Sequence, residues 1–195
     1  MKLTELSIEE FTDIYNRYMV RDFPKDELKP LKRITDTMKT GLSCAYGMFE
    51  GTKLIGYAVF VLPDGLQYGL LDYLAVLREY RGTGVGHAFF ELINDTLVRK
   101  CPTLKGFFIE SESIDFAQND TERRIREKRI SFYLQNQCER TALGSELFGV
   151  TYSVLVYRFN QGVPKLPGRE DLDKVYRAMF QKHHYENEVE IWEKV

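Results

Sequence analysis

The sequence is poor in the side chains that build disulfide frameworks and metal centres. Among its 195 residues are three cysteines and three histidines. Cys44, Cys101 and Cys138 lie far apart without C-x-x-C spacing, which predicts reduced thiols. His183 and His184 are adjacent, whereas two histidines that bind one metal from a helix lie four residues apart. We therefore expect neither a disulfide framework nor a metal site.

Long apolar runs and an excess of one charge are also absent. No run approaches the roughly 20 apolar residues of a membrane span, and the first residues, MKLTELSIEEF, contain no signal-peptide core. Twenty-seven basic and 29 acidic side chains give a net charge of -2, which offers no overall attraction for nucleic acid. We therefore expect a cytoplasmic globular protein that binds neither membranes nor nucleic acid.

What the sequence does contain is enough apolar material for one globular domain. Hydrophobic residues make up 44% of the chain and aromatic residues 13%, and a chain of this length supports a substantial core. Apolar periodicity, capping residues and turn residues predict helices at 7–23, 30–40, 84–100 and 119–137, and strands at 43–50, 53–62, 67–76, 106–112 and 150–159. Residues 144–149 are interpreted as a connection.

The order of these elements predicts a mixed sheet. The first three strands follow one another through short turns, which gives an antiparallel meander. The fourth strand follows a helix, and a strand reached through a helical crossover is expected to run parallel to the one before it. The predicted fold class is therefore α/β, a single domain with a mixed, twisted central sheet flanked by helices.

A glycine-rich loop connects the strand at 67–76 to the helix at 84–100. Gly82, Gly84 and Gly86 lie within five residues, and such a loop can bind an anion through its backbone N–H groups and the start of the helix. A P-loop requires lysine and then serine or threonine after the last glycine, but His87 and Ala88 stand there. A dinucleotide fingerprint requires its third glycine at position 87. Both familiar phosphate-binding motifs are therefore excluded.

The string LAVLREYRGTGVG at 74–86 resembles the acyl-CoA-binding motif Arg-x-x-Gly-x-Gly of the GNAT superfamily of N-acyltransferases. In that family the loop cradles the pyrophosphate of acetyl-CoA, so the resemblance implies a GNAT fold and acetyl-CoA as co-substrate. Backbone N–H groups of the preceding strand are expected to hold the pantetheine arm and the acetyl oxygen. The coenzyme-binding residues so assigned are Leu74, Ala75, Val76, Arg81, Gly82, Thr83, Gly84, Val85, Gly86 and Asn119. The alternative is a glycine-rich turn before a core helix.

The strand at 106–112 carries the candidate base. Glu110 and Glu112 share one face with Phe108 by the two-residue period of a strand. A carboxylate facing a cleft can accept the proton of an alkylammonium, whose pKa is near ~10.4. Residues 109–112, IESE, resemble the Leu-Glu-Val-Arg string of ribosomal-protein alanine acetyltransferases, whose glutamate is the base, and this implies that role for Glu110. The alternative is that both glutamates are exposed charges at a strand end.

The helix at 119–137 carries the candidate acid. Residues 131–136, SFYLQN, resemble the family string A-x-x-F-Y-x-x-x-G-F, whose tyrosine protonates the coenzyme A thiolate, and this implies that role for Tyr133. A phenol with a pKa near ~10 can donate to a thiolate whose thiol has a pKa near ~8.5. Gln137 and Cys138 depart from the family's Gly-Phe. The alternative is that Tyr133 is a core aromatic.

The acceptor is predicted from less specific features. In the resembled family the first two helices cover the acceptor side of the active site. Three acidic residues between these helices are therefore candidates to bind a cationic substrate: Asp22, Asp26 and Glu27. The favoured alternative is that they are solvated loop charges. Four aromatic residues suggest a pocket for a small molecule rather than an open groove, unless they belong to the core: Tyr15, Tyr18, Phe23 and Tyr157. We therefore predict an enzyme that acetylates a primary amine, of a small molecule rather than of a peptide.

The composition changes after Phe159, so we divide the chain into a GNAT N-acetyltransferase domain at 1–160 and a C-terminal helical extension at 161–195. An apolar stripe predicts a helix in this extension: Leu172, Val175, Tyr176, Met179 and Phe180. The extension packs on the domain, walls the acceptor site or joins a partner subunit in a homodimer. The rival function is a GNAT-fold protein that binds acyl-CoA as a sensor or scaffold without turnover.

Overall fold

The computed structural model describes residues 1–25, 27–160, 162 and 165–193, which form an α/β structure with helices flanking an eight-stranded sheet. The strands are β1 (Lys2–Glu5), β2 (Ser43–Glu50), β3 (Lys53–Val61), β4 (Tyr68–Val76), β5 (Gly106–Glu112), β6 (Glu139–Leu147), β7 (Val150–Arg158) and β8 (Val189–Glu193). The helices are α1 (Ile8–Ile14), α2 (Val20–Asp22), α3 (Leu31–Lys39), α4 (Val85–Lys100), α5 (Asp120–Gln135), α6 (Arg169–Met179) and α7 (Lys182–Glu188). Over this part of the chain, no helix combines the length and the apolar composition that crossing a membrane requires.

The sheet is mixed, as the sequence predicts. Its strand order is β1-β2-β3-β4-β5-β7-β6-β8. The pairs β1–β2, β2–β3, β5–β7, β6–β7 and β6–β8 are antiparallel. β4 and β5 are neighbours joined through α4, the helical crossover that parallel strands require. The predicted adjacency of the strands that carry Val76 and Glu110 is therefore confirmed.

The chain forms two compact units. The first consists of Met1–Asp64 and Leu71–Lys100, and the second of Gly65–Leu70 and Cys101–Val195. The first unit contains β1 to β3, most of β4 and helices α1 to α4, and the second contains β5 to β8 and helices α5 to α7. The predicted boundary at residue 160 stays a prediction.

In the first unit, α1 begins with the predicted capping box. The Ser7 hydroxyl accepts from the Glu10 N–H, and the Glu10 carboxylate accepts from the Ser7 N–H, which satisfies two backbone groups at the helix start. The helix continues through a π-helical turn, Tyr15–Met19, into α2. Its buried residues join the core of the unit: Phe11, Ile14, Tyr15 and Met19 pack in one cluster with Ile34, Tyr57 and Tyr73.

In the second unit, β5 pairs with β7 along its whole length, from Gly106 opposite Arg158 to Glu112 opposite Tyr152. The C-terminal helix α6 buries the stripe that the sequence indicates: Leu172, Val175, Tyr176 and Met179. α6 contacts β8, which pairs in turn with β6. The C-terminal segment therefore contributes a strand to the sheet as well as helices.

The sequence patterns miss three of the strands. β1 and β8 are short, and neither was predicted. The interpretation of 144–149 as a connection is wrong up to Leu147, because these residues belong to β6. The turn to β7 is confined to Phe148 and Gly149, which both have positive φ, 51° and 81°.

Gly144 makes room for the tryptophan that lies opposite it on β8. Gly144 and Trp192 are register partners, and a Cβ added at Gly144 would lie 2.5 Å from the indole ring. Gly144, which led us to interpret 144–149 as a connection, is therefore a strand residue that leaves space for the Trp192 ring.

We expect Gly144→Val to destabilise the fold, because its side chain would overlap the Trp192 indole. Overpacking of this kind costs about 1–3 kcal/mol, which urea unfolding would measure. Trp192 is the single tryptophan of the chain, so its fluorescence would report the displacement of β8. Gly168→Ala is the control for the emission, because an added Cβ there meets nothing within 4 Å and any loss of stability comes from the N-cap of α6 alone. Unchanged stability and emission in Gly144→Val would contradict the pairing of these residues.

Candidate active site

The loop between β4 and α4 has the backbone form that its glycines predict. Gly82 and Gly84 have φ of 77° and 84°, and an added Cβ at either residue would meet nothing within 4 Å. α4 begins at Val85, and the Gly84 carbonyl accepts from the N–H groups of His87 and Ala88. The first N–H groups of a helix have no intrahelical partners. The loop therefore presents an open, electropositive helix start that fits a phosphate group.

Two side chains fix the shape of this loop. The Thr83 hydroxyl donates to the Tyr80 carbonyl at 2.7 Å. Arg81 Nε donates to the Val76 carbonyl at 2.7 Å, while its side chain remains 52% exposed. Arg81 thus joins the end of β4 to the loop and keeps a positive charge at its surface.

Asp22 lies beside this arginine. One carboxylate oxygen accepts from the hydroxyl of Tyr57 at 2.8 Å, and the other lies 3.5 Å from Arg81 Nη2. The Asp22 side chain is only 10% exposed, so the interpretation of Asp22 as a solvated loop charge is wrong. Burial, and then the hydrogen bond to Asp22, raise the pKa of Tyr57. Tyr57 therefore stays a proton donor to the carboxylate.

The segment after α2 is tied to β4 by polar contacts. Lys29 Nζ pairs with Asp72 Oδ1 at 2.5 Å, and the Lys29 N–H donates to the Tyr73 hydroxyl. The Tyr73 hydroxyl donates in turn to the Glu27 carbonyl at 2.9 Å. Asp26 lies outside the described residues. The predicted acceptor-side segment is therefore anchored on the same strand as the predicted pantetheine-binding residues.

The aromatic residues predicted to line an acceptor pocket lie in both units. In the first unit, Tyr15 belongs to the core, with Tyr18 and Phe23 packed against that core. In the second unit, Tyr157 stacks on Phe107 with ring centroids 5.4 Å apart. For Tyr15, the alternative of a core role is therefore the better description.

Glu110, the predicted base, lies in the second unit on β5. Its Oε1 accepts from the Ser145 hydroxyl at 3.2 Å, and it also accepts from the Tyr176 hydroxyl. Ser145 comes from β6 and Tyr176 from α6, and both are fully buried. Burial, and then the carboxylate of Glu110, raise the pKa of Tyr176. The Glu110 side chain is thus held by hydroxyl donors from two other elements.

Glu112 has a different environment from Glu110. Its two carboxylate oxygens pair with Arg126 at 2.7 Å and with Arg129 at 3.2 Å, both from α5. Arg126 also donates to the Ser113 carbonyl at 2.6 Å. Glu112 therefore joins α5 to the end of β5. Neither glutamate is an exposed strand-end charge, because both side chains are half-buried.

Tyr133, the predicted acid, lies in the last turns of α5, and its side chain is buried. Burial raises its pKa, which keeps the phenol protonated but makes it a weaker acid.

The helix ends after Tyr133 in a Schellman motif: the Cys138 N–H donates to the Tyr133 carbonyl, and the Gln137 N–H donates to the Leu134 carbonyl. Gln137 has φ of 64°. Gln137 stands where the family string has glycine, and it adopts the left-handed backbone conformation that glycine favours.

Asn119 begins α5. Its Oδ1 accepts from the Glu122 N–H at 2.9 Å, and its Nδ2 donates to the Glu122 carboxylate at 3.1 Å. Its side chain is therefore used in the helix cap, and its predicted role in coenzyme binding stays a prediction.

The predicted site residues lie in both units. The β4 and loop residues, 74–76 and 81–86, lie in the first, and Glu110, Tyr133 and Asn119 lie in the second. Sequence patterns did not indicate Tyr57 as a partner of Asp22, nor Ser145 and Tyr176 as partners of Glu110. These contacts join residues at least 35 positions apart, so no local signal identifies them. Among the described residues, no group of three or more potential ligands can hold a metal ion.

Comparison with known proteins supports the family resemblance of the sequence. The model of the acetyltransferase (GNAT) family matches residues 2–104, just over half of the chain. A search of curated proteins finds no significant match.

Solved structures of acetyltransferases share the fold. One assigned to the GNAT family, from Bacteroides thetaiotaomicron, has a TM-score of 0.66 and 15% identity over 94% of this chain and 98% of that one. A ribosomal-protein-alanine N-acetyltransferase from Escherichia coli has a TM-score of 0.59 and 14% identity over 86% and 99%. A dodecameric spermidine N-acetyltransferase from Vibrio cholerae has a TM-score of 0.60 and 9% identity over 84% and 96%. At these identities the likeness concerns the fold alone.

We expect Gln137→Gly to stabilise the protein by about 0.5–1 kcal/mol. A left-handed conformation costs a residue with a Cβ roughly 1–2 kcal/mol, and the added freedom of the unfolded glycine offsets part of this gain. Thermal or urea unfolding would measure the change. Lys128→Gly is the control of opposite sign, because Lys128 is an exposed residue in the interior of α5 and glycine there costs about 1 kcal/mol. A loss of stability in Gln137→Gly would contradict the described helix end.

Proposed function

Because this chain belongs to the GNAT acetyltransferase family, we propose that it is a cytoplasmic N-acetyltransferase that uses acetyl-CoA to acetylate a primary amine. The loop at 81–86 carries this proposal. It combines positive φ at two glycines, open space above both, and a helix that begins directly after them.

The residues fit the coenzyme that the family implies. The loop N–H groups and Arg81 would hold the pyrophosphate, since both present positive charge at the surface. Backbone groups at Leu74, Ala75 and Val76 would hold the pantetheine arm. When bound, acetyl-CoA supplies an activated acetyl thioester. The N–H of Val76 is the proposed donor to the acetyl oxygen.

Two side chains of the second unit have proposed roles in proton transfer. Glu110 takes the proton from the acceptor ammonium, directly or through water. It is the better candidate of the two glutamates, because both oxygens of Glu112 are engaged with arginines. Tyr133 gives its proton to the departing thiolate. The buried phenol is protonated at neutral pH, and its raised pKa makes this transfer harder than from an exposed tyrosine.

The proposed acceptor is a small primary amine. The proposal draws on the carboxylate of Asp22, which lies beside Arg81 of the coenzyme loop, with its side chain 10% exposed and its oxygens facing Tyr57 and Arg81. The structural neighbours include acetyltransferases of spermidine and of a ribosomal-protein alanine. Polyamines and peptide N-termini are therefore the two acceptor classes to compare first.

Acetyl-CoA is expected to raise the melting temperature, since a ligand that binds only the folded state stabilises it by about 2.7 kcal/mol at a hundredfold excess over Kd. Gly84→Asp should abolish this shift, because the carboxylate repels phosphate and occupies the open space. Gly41→Asp is the matched control, with the same positive φ and the same empty surroundings outside the loop. A shift retained in Gly84→Asp would remove the loop assignment.

Turnover is expected with small primary amines, measured by thiol release from acetyl-CoA against polyamines, amino acids, aminoglycosides and short peptides. Glu110→Gln should lower kcat/KM by about 100-fold or more. It should also flatten the acidic limb of the pH profile, because the rate no longer depends on a carboxylate losing its proton. Tyr133→Phe should lower kcat while acetyl-CoA binding persists.

Three results would each contradict one part of the proposed function. Reaction of peptide N-termini alone would replace the small-molecule acceptor. Full activity of Glu110→Gln across the pH range would exclude Glu110 as the base. Coenzyme binding without thiol release over the whole panel would favour the sensor.

A further inference from the structure

We propose that Tyr176, with Ser145, holds the Glu110 carboxylate in a single ionised orientation, so that the C-terminal helix α6 positions the base. The role of Glu110 as base rests on the proposed function. The effect of Tyr176 on the carboxylate does not, because it can be measured without turnover.

The geometry joins three elements of the second unit at one carboxylate oxygen. Glu110 Oε1 accepts from Ser145 of β6 at 3.2 Å and from Tyr176 of α6. The two hydroxyl oxygens lie 3.0 Å apart. All three residues lie outside the segment matched by the family model, which ends at residue 104. The contact therefore belongs to this chain's own C-terminal part.

The tyrosine hydroxyl has a specific use at this position. Leu172, Val175 and Met179 of α6 are buried with Tyr176, so a phenylalanine would serve the packing of the stripe equally well. The hydroxyl adds a donor, and a buried hydroxyl needs a partner. Donors to a carboxylate favour its charged form. Tyr176 therefore stabilises the form of Glu110 that can accept a proton.

Two other ionisable residues of the second unit bear on this cluster. Glu112, two positions along β5, is compensated by Arg126 and Arg129 of α5. Tyr152 of β7 adds to the rise in the pKa of Tyr176 through its charge. The hydroxyls of Tyr176 and Ser145 are therefore the groups to remove.

The test is a titration of the Glu110 carboxyl carbon by carbon-13 NMR in protein labelled at glutamate, with Glu110→Gln to assign the resonance. Tyr176→Phe should raise the pKa of Glu110 by about one unit, a tenfold change in proton affinity. Ser145→Ala should shift it in the same direction by less. Tyr185→Phe, which removes a hydroxyl that donates to Asp173, is the matched control and should leave the titration unchanged.

Turnover gives an independent readout. The acidic limb of the kcat/KM profile should move to higher pH in Tyr176→Phe, with the KM for acetyl-CoA unchanged. An unchanged carboxyl titration in folded Tyr176→Phe overturns the inference, whatever the activity. If Tyr176→Phe does not fold, an unchanged titration in Ser145→Ala overturns it instead. A shifted titration in a protein without turnover upholds the inference and removes the proposed function.

Discussion

A carboxylate on an inner strand of a sheet must find hydrogen-bond donors, because burying a charge without partners costs several kcal/mol. Glu110 meets this constraint with hydroxyls from β6 and α6. The donors come from elements that are not neighbours of β5 in the sheet. β7 separates β5 from β6, and α6 places the Tyr176 hydroxyl within reach of both Glu110 and Ser145. The polar cluster thus fixes the C-terminal segment at a defined position, while the apolar stripe provides most of its burial.

In the first unit, the exposed loop at 81–86 is held in a backbone conformation that most residues avoid. Glycines adopt the positive φ, and the side chains of Arg81 and Thr83 bond back to nearby carbonyls. Asp22 connects the same arginine to the buried Tyr57. The loop is therefore held in one conformation, which would reduce the entropy that binding the proposed coenzyme must overcome.

Features encoded within a few residues could be predicted from the sequence. The Ser7 capping box, the glycine loop and the strand at Gly106–Glu112 all depend on local spacing, and the structure contains each of them. β6 was missed because Gly144 and Gly149 mark turns in most sequences, whereas here one of them faces Trp192 of a distant strand. Tyr176 was predicted only as part of an apolar stripe, because its hydroxyl partner lies 66 positions away. Long-range pairing of this kind leaves no periodic signal.

β8 ends the strand order and forms one border of the sheet. Its sequence, VEIWE, exposes Glu190 and Glu193 on both sides of the buried Ile191. A border strand offers unpaired backbone groups to any second strand, and charged side chains hinder such pairing. Glu190 and Glu193 lie three residues apart, so each face of this strand carries one carboxylate. Pairing of β8 with a second strand would therefore bring that strand against a charged side chain on either face, which disfavours extension of the sheet at this border.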